Sequence, residues 1–118
     1  MNKKKILLFM LLTLPFIGVG QDMKIKWEDN DGREFSIKAI SGEFDYGMIP
    51  GDNVYYNSLG KVSSVGNVNI YYNSLGKVRS VGNVNIYYNS LGYIRSVGGM
   101  SIYYNSLGYV SSTTGRVR

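Results

Sequence analysis

The hexapeptide Tyr-Tyr-Asn-Ser-Leu-Gly stands at 55–60, 71–76, 87–92 and 103–108, an unbroken period of 16 residues. A near-identical unit at a fixed period specifies a repeat architecture, in which each unit is one supersecondary element that packs against its neighbours. Two strand-like runs and two turn signals fill each unit. Val68-Asn69-Ile70-Tyr71-Tyr72 is β-branched and aromatic and alternates for most of its length. Asn73-Ser74-Leu75-Gly76 follows, with Asn suited to the start of a type I turn and Gly to the left-handed position that closes a hairpin. Lys77-Val78-Arg79-Ser80-Val81 is the second run, and Gly82-Asn83 is a two-residue reversal. Gly60, Gly76, Gly92 and Gly108 are thus the expected turn formers. No 3.6-residue apolar period survives beyond residue 20, which excludes helix there.

The expected fold is all-β, an antiparallel meander of tandem 16-residue hairpins over 54–118. The alternative is a β-solenoid, with each unit one coil. Stacked coils would place Lys61 on Lys77 and Arg79 on Arg95 about 4.8 Å apart, an unfavourable like-charge contact. In a meander those pairs are two strands apart, and the meander is preferred. If the Asn-Ser-Leu-Gly turn is a four-residue loop, Val68, Ile70, Tyr72, Val81, Val84, Ile86 and Tyr88 share one face. Asn69, Tyr71, Val78, Ser80, Asn85 and Tyr87 then share the other. A three-residue loop with a bulge would swap faces between units, and the sequence leaves the choice open. Either way one side of the sheet is apolar and needs a cover: curling, the N-terminal part, or another copy. Curling or self-association is the expectation.

Residues 1–20 read as an export signal, and the remainder as a head and an array. Lys3, Lys4 and Lys5 precede the apolar run Ile6–Phe16, and Gly18-Val19-Gly20 offers small residues for cleavage before Gln21. The run is shorter than the ~20 residues of a spanning helix, so no stable membrane span is expected after cleavage. A secreted or periplasmic product follows. Residues 21–40 form a degenerate hairpin, Met23–Trp27 and Glu34–Lys38 about the turn Asp29-Asn30-Asp31-Gly32, and 41–53 a linking loop. Removing the three signal lysines takes the formal net charge from +5 to +2. All eight acids precede residue 53, against four bases there, while the array has six bases and no acid. That asymmetry fits either an anionic partner or head-to-tail attraction. Six charges over 66 residues make no dense patch, and nucleic acid is not expected.

Tyr72-Asn73-Ser74-Leu75-Gly76-Lys77-Val78-Arg79-Ser80-Val81 resembles the core of the YD repeat of Rhs-type secreted bacterial proteins: Tyr, Asp or Asn, two variable residues, Gly, a basic residue, then two aliphatics three apart. The resemblance covers 54–112 and implies a β-sheet that binds or encloses cargo. The period is shorter than the family's, and Tyr93 and Tyr109 replace the basic residue. A weaker likeness is to aromatic cell-wall-binding repeats, without their Trp.

With no His and no Cys, the chain lacks an imidazole base, a thiolate and the usual zinc ligands. Ser74-Leu75-Gly76-Lys77 matches Ser-x-x-Lys, but that chemistry needs a helix, and the tetrapeptide is a turn here. Asp29-Asn30-Asp31-Gly32 opens like a calcium loop but has no distant bidentate Glu, and is read as a tight turn. No cleft-building scaffold supports a carboxylate pair for glycoside hydrolysis. No catalytic, cofactor-binding or metal-ligating residue is therefore expected, and no cofactor. Adjacent tyrosines on a strand point to opposite faces. One of each pair packs, and Tyr55, Tyr71, Tyr87 and Tyr103 are the candidate binding surface, suited to sugar rings or a protein partner. Cross-strand packing is the plainer role for the same rings. Trp27 is assigned to head packing. The expected function is a secreted, non-catalytic module contacting an envelope component, glycan or protein. The alternatives are a self-assembling fibre or surface-layer protein, or a fragment of a longer array.

Overall fold

The computed structural model describes residues 22–118; the expected signal segment, 1–20, lies outside the described residues. Eleven strands follow in order. β1 (Lys24–Glu28), β2 (Glu34–Lys38) and β3 (Phe44–Tyr46) form the head. β4 (Val54–Tyr56), β5 (Val62–Val65), β6 (Val68–Tyr72), β7 (Val78–Val81), β8 (Val84–Tyr88), β9 (Ile94–Val97), β10 (Met100–Tyr104) and β11 (Val110–Thr114) form the array. Three-stranded and eight-stranded sheets result, each strand pairing antiparallel with its neighbour in the chain. The array is therefore a meander and not a solenoid. Within the segment read as a linking loop, Phe44–Tyr46 adds a third strand to the head, with Phe44 opposite Ile37 and Tyr46 opposite Phe35.

Hydrogen bonding explains why each turn needs Asn and Gly. Asn73 N donates to Lys77 O at 2.8 Å and Gly76 N to Asn73 O at 2.9 Å, enclosing the three-residue loop Ser74-Leu75-Gly76. Asn73 Oδ1 also accepts from Leu75 N at 2.9 Å and Lys77 N at 3.0 Å. Gly76 sits at φ +81°, and Gly60, Gly92 and Gly108 at +82°, +84° and +86°, where a side chain is strained. The same loop recurs at Asn57, Asn89 and Asn105. It is the three-residue hairpin loop in which a type I turn is followed by a left-handed glycine.

A second irregularity lies on the returning strand. Tyr72 faces Val78 but Tyr71 faces Ser80, so Arg79 is an inserted, unpaired residue. The same shift separates Tyr55 from Tyr56, Tyr87 from Tyr88 and Tyr103 from Tyr104. The β-bulge offsets the parity change made by the loop. Faces consequently do not swap between units, although the loop has three residues. Val68, Ile70, Tyr72, Val81, Val84, Ile86 and Tyr88 share the inner face, as the four-residue reading expected. Val78 joins them at 3% exposure instead of lying on the outer face, because the bulge at Arg79 lets residues 78 and 81 both point inward.

The head covers that inner face. Ile25, Trp27, Phe35, Ile37 and Ala39 join Val65, Ile70, Val78, Val81, Val84, Ile86, Ile94, Val97, Ile102 and Val117 in one buried cluster. Ile94 N donates to Ala39 O at 2.8 Å, tying the layers by backbone. The two-layer molecule measures 41 × 39 × 24 Å. Coverage by curling or by a second copy, expected from a single apolar face, is thus replaced by coverage from within the chain. Full burial of each Val or Ile contributes about 1.5–3 kcal/mol, which a lone sheet would forgo on its wet side.

Candidate binding face

The uncovered side of the array carries the first tyrosine of each pair. Tyr55, Tyr71, Tyr87 and Tyr103 are 59, 51, 52 and 50% exposed, on alternate strands. Adjacent strands lie about 4.8 Å apart, so the rings repeat at about 10 Å. The bulge turns a guanidinium onto two of them: Arg79 Cζ lies 5.7 Å from the Tyr71 ring centroid and Arg95 Cζ 5.6 Å from that of Tyr87. At that distance the cation is attracted to the ring face, and its N–H groups stay available to donate. Ser63 and Ser111 occupy the corresponding place in the outer units, so the positive charge is central. No acid lies in the array sequence to neutralise it.

In the last three units the second tyrosine of the pair does structural work on the inner side. Tyr72, Tyr88 and Tyr104 donate their hydroxyls to Val62 O, Val78 O and Ile94 O at 2.7, 2.6 and 2.5 Å. Each bond reaches back to the preceding unit. Burial pushes all three phenols upward, Tyr88 and Tyr104 to about 12, with Asp22 and Tyr93 adding to the shift at Tyr104. Lys61 and Lys77 lie over the Tyr72 and Tyr88 rings at 5.5 and 5.6 Å, and in the next unit Tyr93 takes that place beside Tyr104 at 5.4 Å. The basic-to-Tyr change along the array therefore exchanges a cation–π contact for an aromatic one.

The residues that resembled catalytic or metal motifs have other partners. Ser74 is exposed at a loop tip, while Lys77 Nζ, besides covering Tyr88, donates to Gly92 O at 3.4 Å. In Asp29-Asn30-Asp31-Gly32, Asp29 Oδ1 accepts from Asp31 N and Arg33 N, both at 2.9 Å. Arg33 Nη1 donates to Asp29 and Asp31, each at 3.0 Å. Arg33 Nε and Nη2 make a two-point contact with Asp52, both bonds 2.8 Å. The oxygens a cation would need are held by a guanidinium. Among the described residues, no group of three or more His, Cys, Asp and Glu is arranged to hold a metal. Trp27 packs in the core at 9% exposure, 5.9 Å from Phe35.

Two features escape a reading of the sequence. Arg33 is buried at 6% exposure and latches the head turn to the residue pair preceding β4. Leu59, Leu75, Leu91 and Leu107 stand 70–80% exposed at the four loop tips, all on one rim. The signal for the leucines was their position inside a turn closed by its own backbone bonds, where a side chain has nothing to pack against. Comparison with known protein-family models, with curated proteins and with solved structures finds no significant match. The likeness to the YD repeat thus rests on the residues quoted for it. No helix among the described residues is long and apolar enough to cross a membrane.

Proposed function

We propose that this chain is an exported, non-catalytic binding module whose outer sheet face takes an acidic glycan of a cell envelope. The observation that carries the reading is the central pair of Tyr–Arg cation–π contacts, Tyr71 with Arg79 and Tyr87 with Arg95, on a face the head leaves open. Half-exposed tyrosine rings offer flat apolar area to a sugar ring, and the guanidinium edges offer paired donors to a carboxylate or sulfate. The repeat of about 10 Å between rings is comparable with the length of a disaccharide. An extended polysaccharide lying across the strands would meet the same group at each step, and several weak contacts on one chain add as avidity. Export, expected from residues 1–20, would bring the face to such polymers. The likeness to the YD repeat, whose sheets bind or enclose cargo, agrees with a binding role.

Calorimetric titration with polygalacturonate, and with neutral dextran as control, tests the reading. Binding of the acidic polymer alone is expected, weakening as salt rises. The double variant Arg79→Ser, Arg95→Ser, which copies the serines of the outer units, should lose about tenfold or more in affinity, or 1.4 kcal/mol. Tyr71→Ser with Tyr87→Ser should do likewise. Equal binding by all variants, or none to any acidic polymer tried, would remove the proposal.

A further inference from the structure

The array's two ends carry the separate halves of a contact the molecule already makes three times. Inside the array, the second strand of each unit meets the first strand of the next through only two residue pairs. These are Ser64 with Asn69 and Val65 with Val68, then Ser80 with Asn85 and Val81 with Val84, then Ser96 with Ser101 and Val97 with Met100. The other end of each junction is closed by a side chain: Tyr72, Tyr88 or Tyr104 donates to the carbonyl of Val62, Val78 or Ile94. A ring from the earlier unit, or its lysine, rests on that tyrosine. Everything needed for the junction therefore lies within the two strands and their flanks.

At the start of the array, Tyr56 occupies the place of Tyr72, Tyr88 and Tyr104. Among the described residues no preceding repeat unit offers it a carbonyl, and its hydroxyl instead meets that of Tyr46 in the head, which leaves the Tyr56 proton free to donate. Tyr56 is 60% exposed where its counterparts are partly buried. At the far end, Val110 and Tyr109 occupy the places of Ile94 and Tyr93, and no described strand lies beyond β11. Ser111 to Thr114 are exposed and uncharged. Edge strands are ordinarily guarded by charge, proline or a covering segment. Arg116 and Arg118, the nearest charges in the chain, lie beyond the end of β11. The chain leaves the sheet at Gly115, and Val117 O accepts from Gly99 N at 3.0 Å with its side chain buried. A Cβ on Gly98 would overlap the Val117 carbonyl, so the tail is seated against the β9–β10 turn and away from the outer edge of β11.

We infer that β11 of one copy pairs with β4 of a second in the register of the internal junctions. Ser112 then faces Asn53, as Ser64 faces Asn69. The Tyr56 hydroxyl reaches Val110 O, and the Tyr109 ring rests on Tyr56 as Tyr93 rests on Tyr104. The two surfaces differ, so the contact is heterologous and adds copies in an open row unless the rotation closes it. Each addition extends the same outer face.

The absence of cysteine from the chain allows the register to be read by cross-linking. Directly opposed residues of antiparallel strands have Cβ atoms about 4.5–5.5 Å apart, close enough for mild oxidation to join them. Ser64→Cys with Asn69→Cys is the internal control and should close within one chain. Asn53→Cys mixed with Ser112→Cys should give covalent dimers in excess of either variant alone, and the double variant should give a ladder. Sedimentation should show mass rising with concentration, and Ser112→Lys should abolish the rise without changing the melting temperature. Closure of the control without mixed dimers would overturn the inference. So would Ser112→Cys dimers as abundant as the mixed ones, which would mean symmetric pairing of two β11 edges, or a monomer at every concentration.

Discussion

Arg33 binds three carboxylates, and through Asp52 it fastens the head turn to the start of the array. Hydrogen bonding from Arg33 holds the Asp52 carboxyl below its usual 3.8. Burial acts against ionisation of Asp29, but bonds from the Arg33 backbone and side chain outweigh it, and that carboxyl is lowered too. A carboxylate whose folded value is depressed adds stability above its unfolded value and loses it as pH falls through the folded one. Thermal melting should therefore fall as pH drops below about 3.9, and fall less steeply in Asp52→Asn. That variant should also melt lower at pH 7, since one end of a buried guanidinium contact is gone. Equal acid slopes in the two proteins would show that the latch does not carry the dependence. Nothing in the sequence marks Arg33 as buried, because an arginine beside Asp29, Asp31 and Glu34 reads as part of a solvated turn. Asn73 and Gly76 are the opposite case. Their side-chain chemistry fixes the loop locally, so their roles are legible without the rest of the chain.

At the scale of the element, the hairpin is legible and the bulge only half so. Val78 and Val81 are three apart, a spacing that an alternating strand cannot bury on one face. That mismatch is the trace of the bulge at Arg79, but the trace does not say which loop length accompanies it. The tyrosine pairs were legible as one ring in and one out. Which ring is which depends on the same parity, and the structure assigns the outer role to Tyr71 and the bridging role to Tyr88. Tyr88→Phe removes the bond to Val78 O and should cost about 0.5–1.5 kcal/mol in denaturant unfolding. The raised phenol adds a pH signature. Its folded value of about 12 exceeds the unfolded value of 10.0, so the stability it contributes is present below 10 and lost as pH climbs toward 12. Denaturation at pH 8 and pH 11 should show a smaller loss for Tyr88→Phe than for the wild type.

In the whole molecule, the head acts as the second layer that a meander of this width lacks. A hairpin at 24–38 is legible from alternation and the Asp-Gly turn. That it docks on the array is not, since a pattern of inward residues says a face is apolar without saying what meets it. β3 has only three residues, too few for alternation to declare a strand. Deleting residues 22–47 uncovers Ile94, Val97, Val84 and Ile86, all nearly fully buried against the head. The shortened chain should bind a hydrophobic-surface dye and sediment as aggregates. A dye-free, monodisperse product would show that the array curls to bury its own face. The loop and the bulge also bear on how such a gene can change. Because each unit undoes its own displacement, gaining or losing one by unequal recombination would leave every retained residue on its original side. Such a change would lengthen or shorten the Tyr-bearing surface in whole steps, so the reach of the protein is the property most freely adjusted by its ancestry.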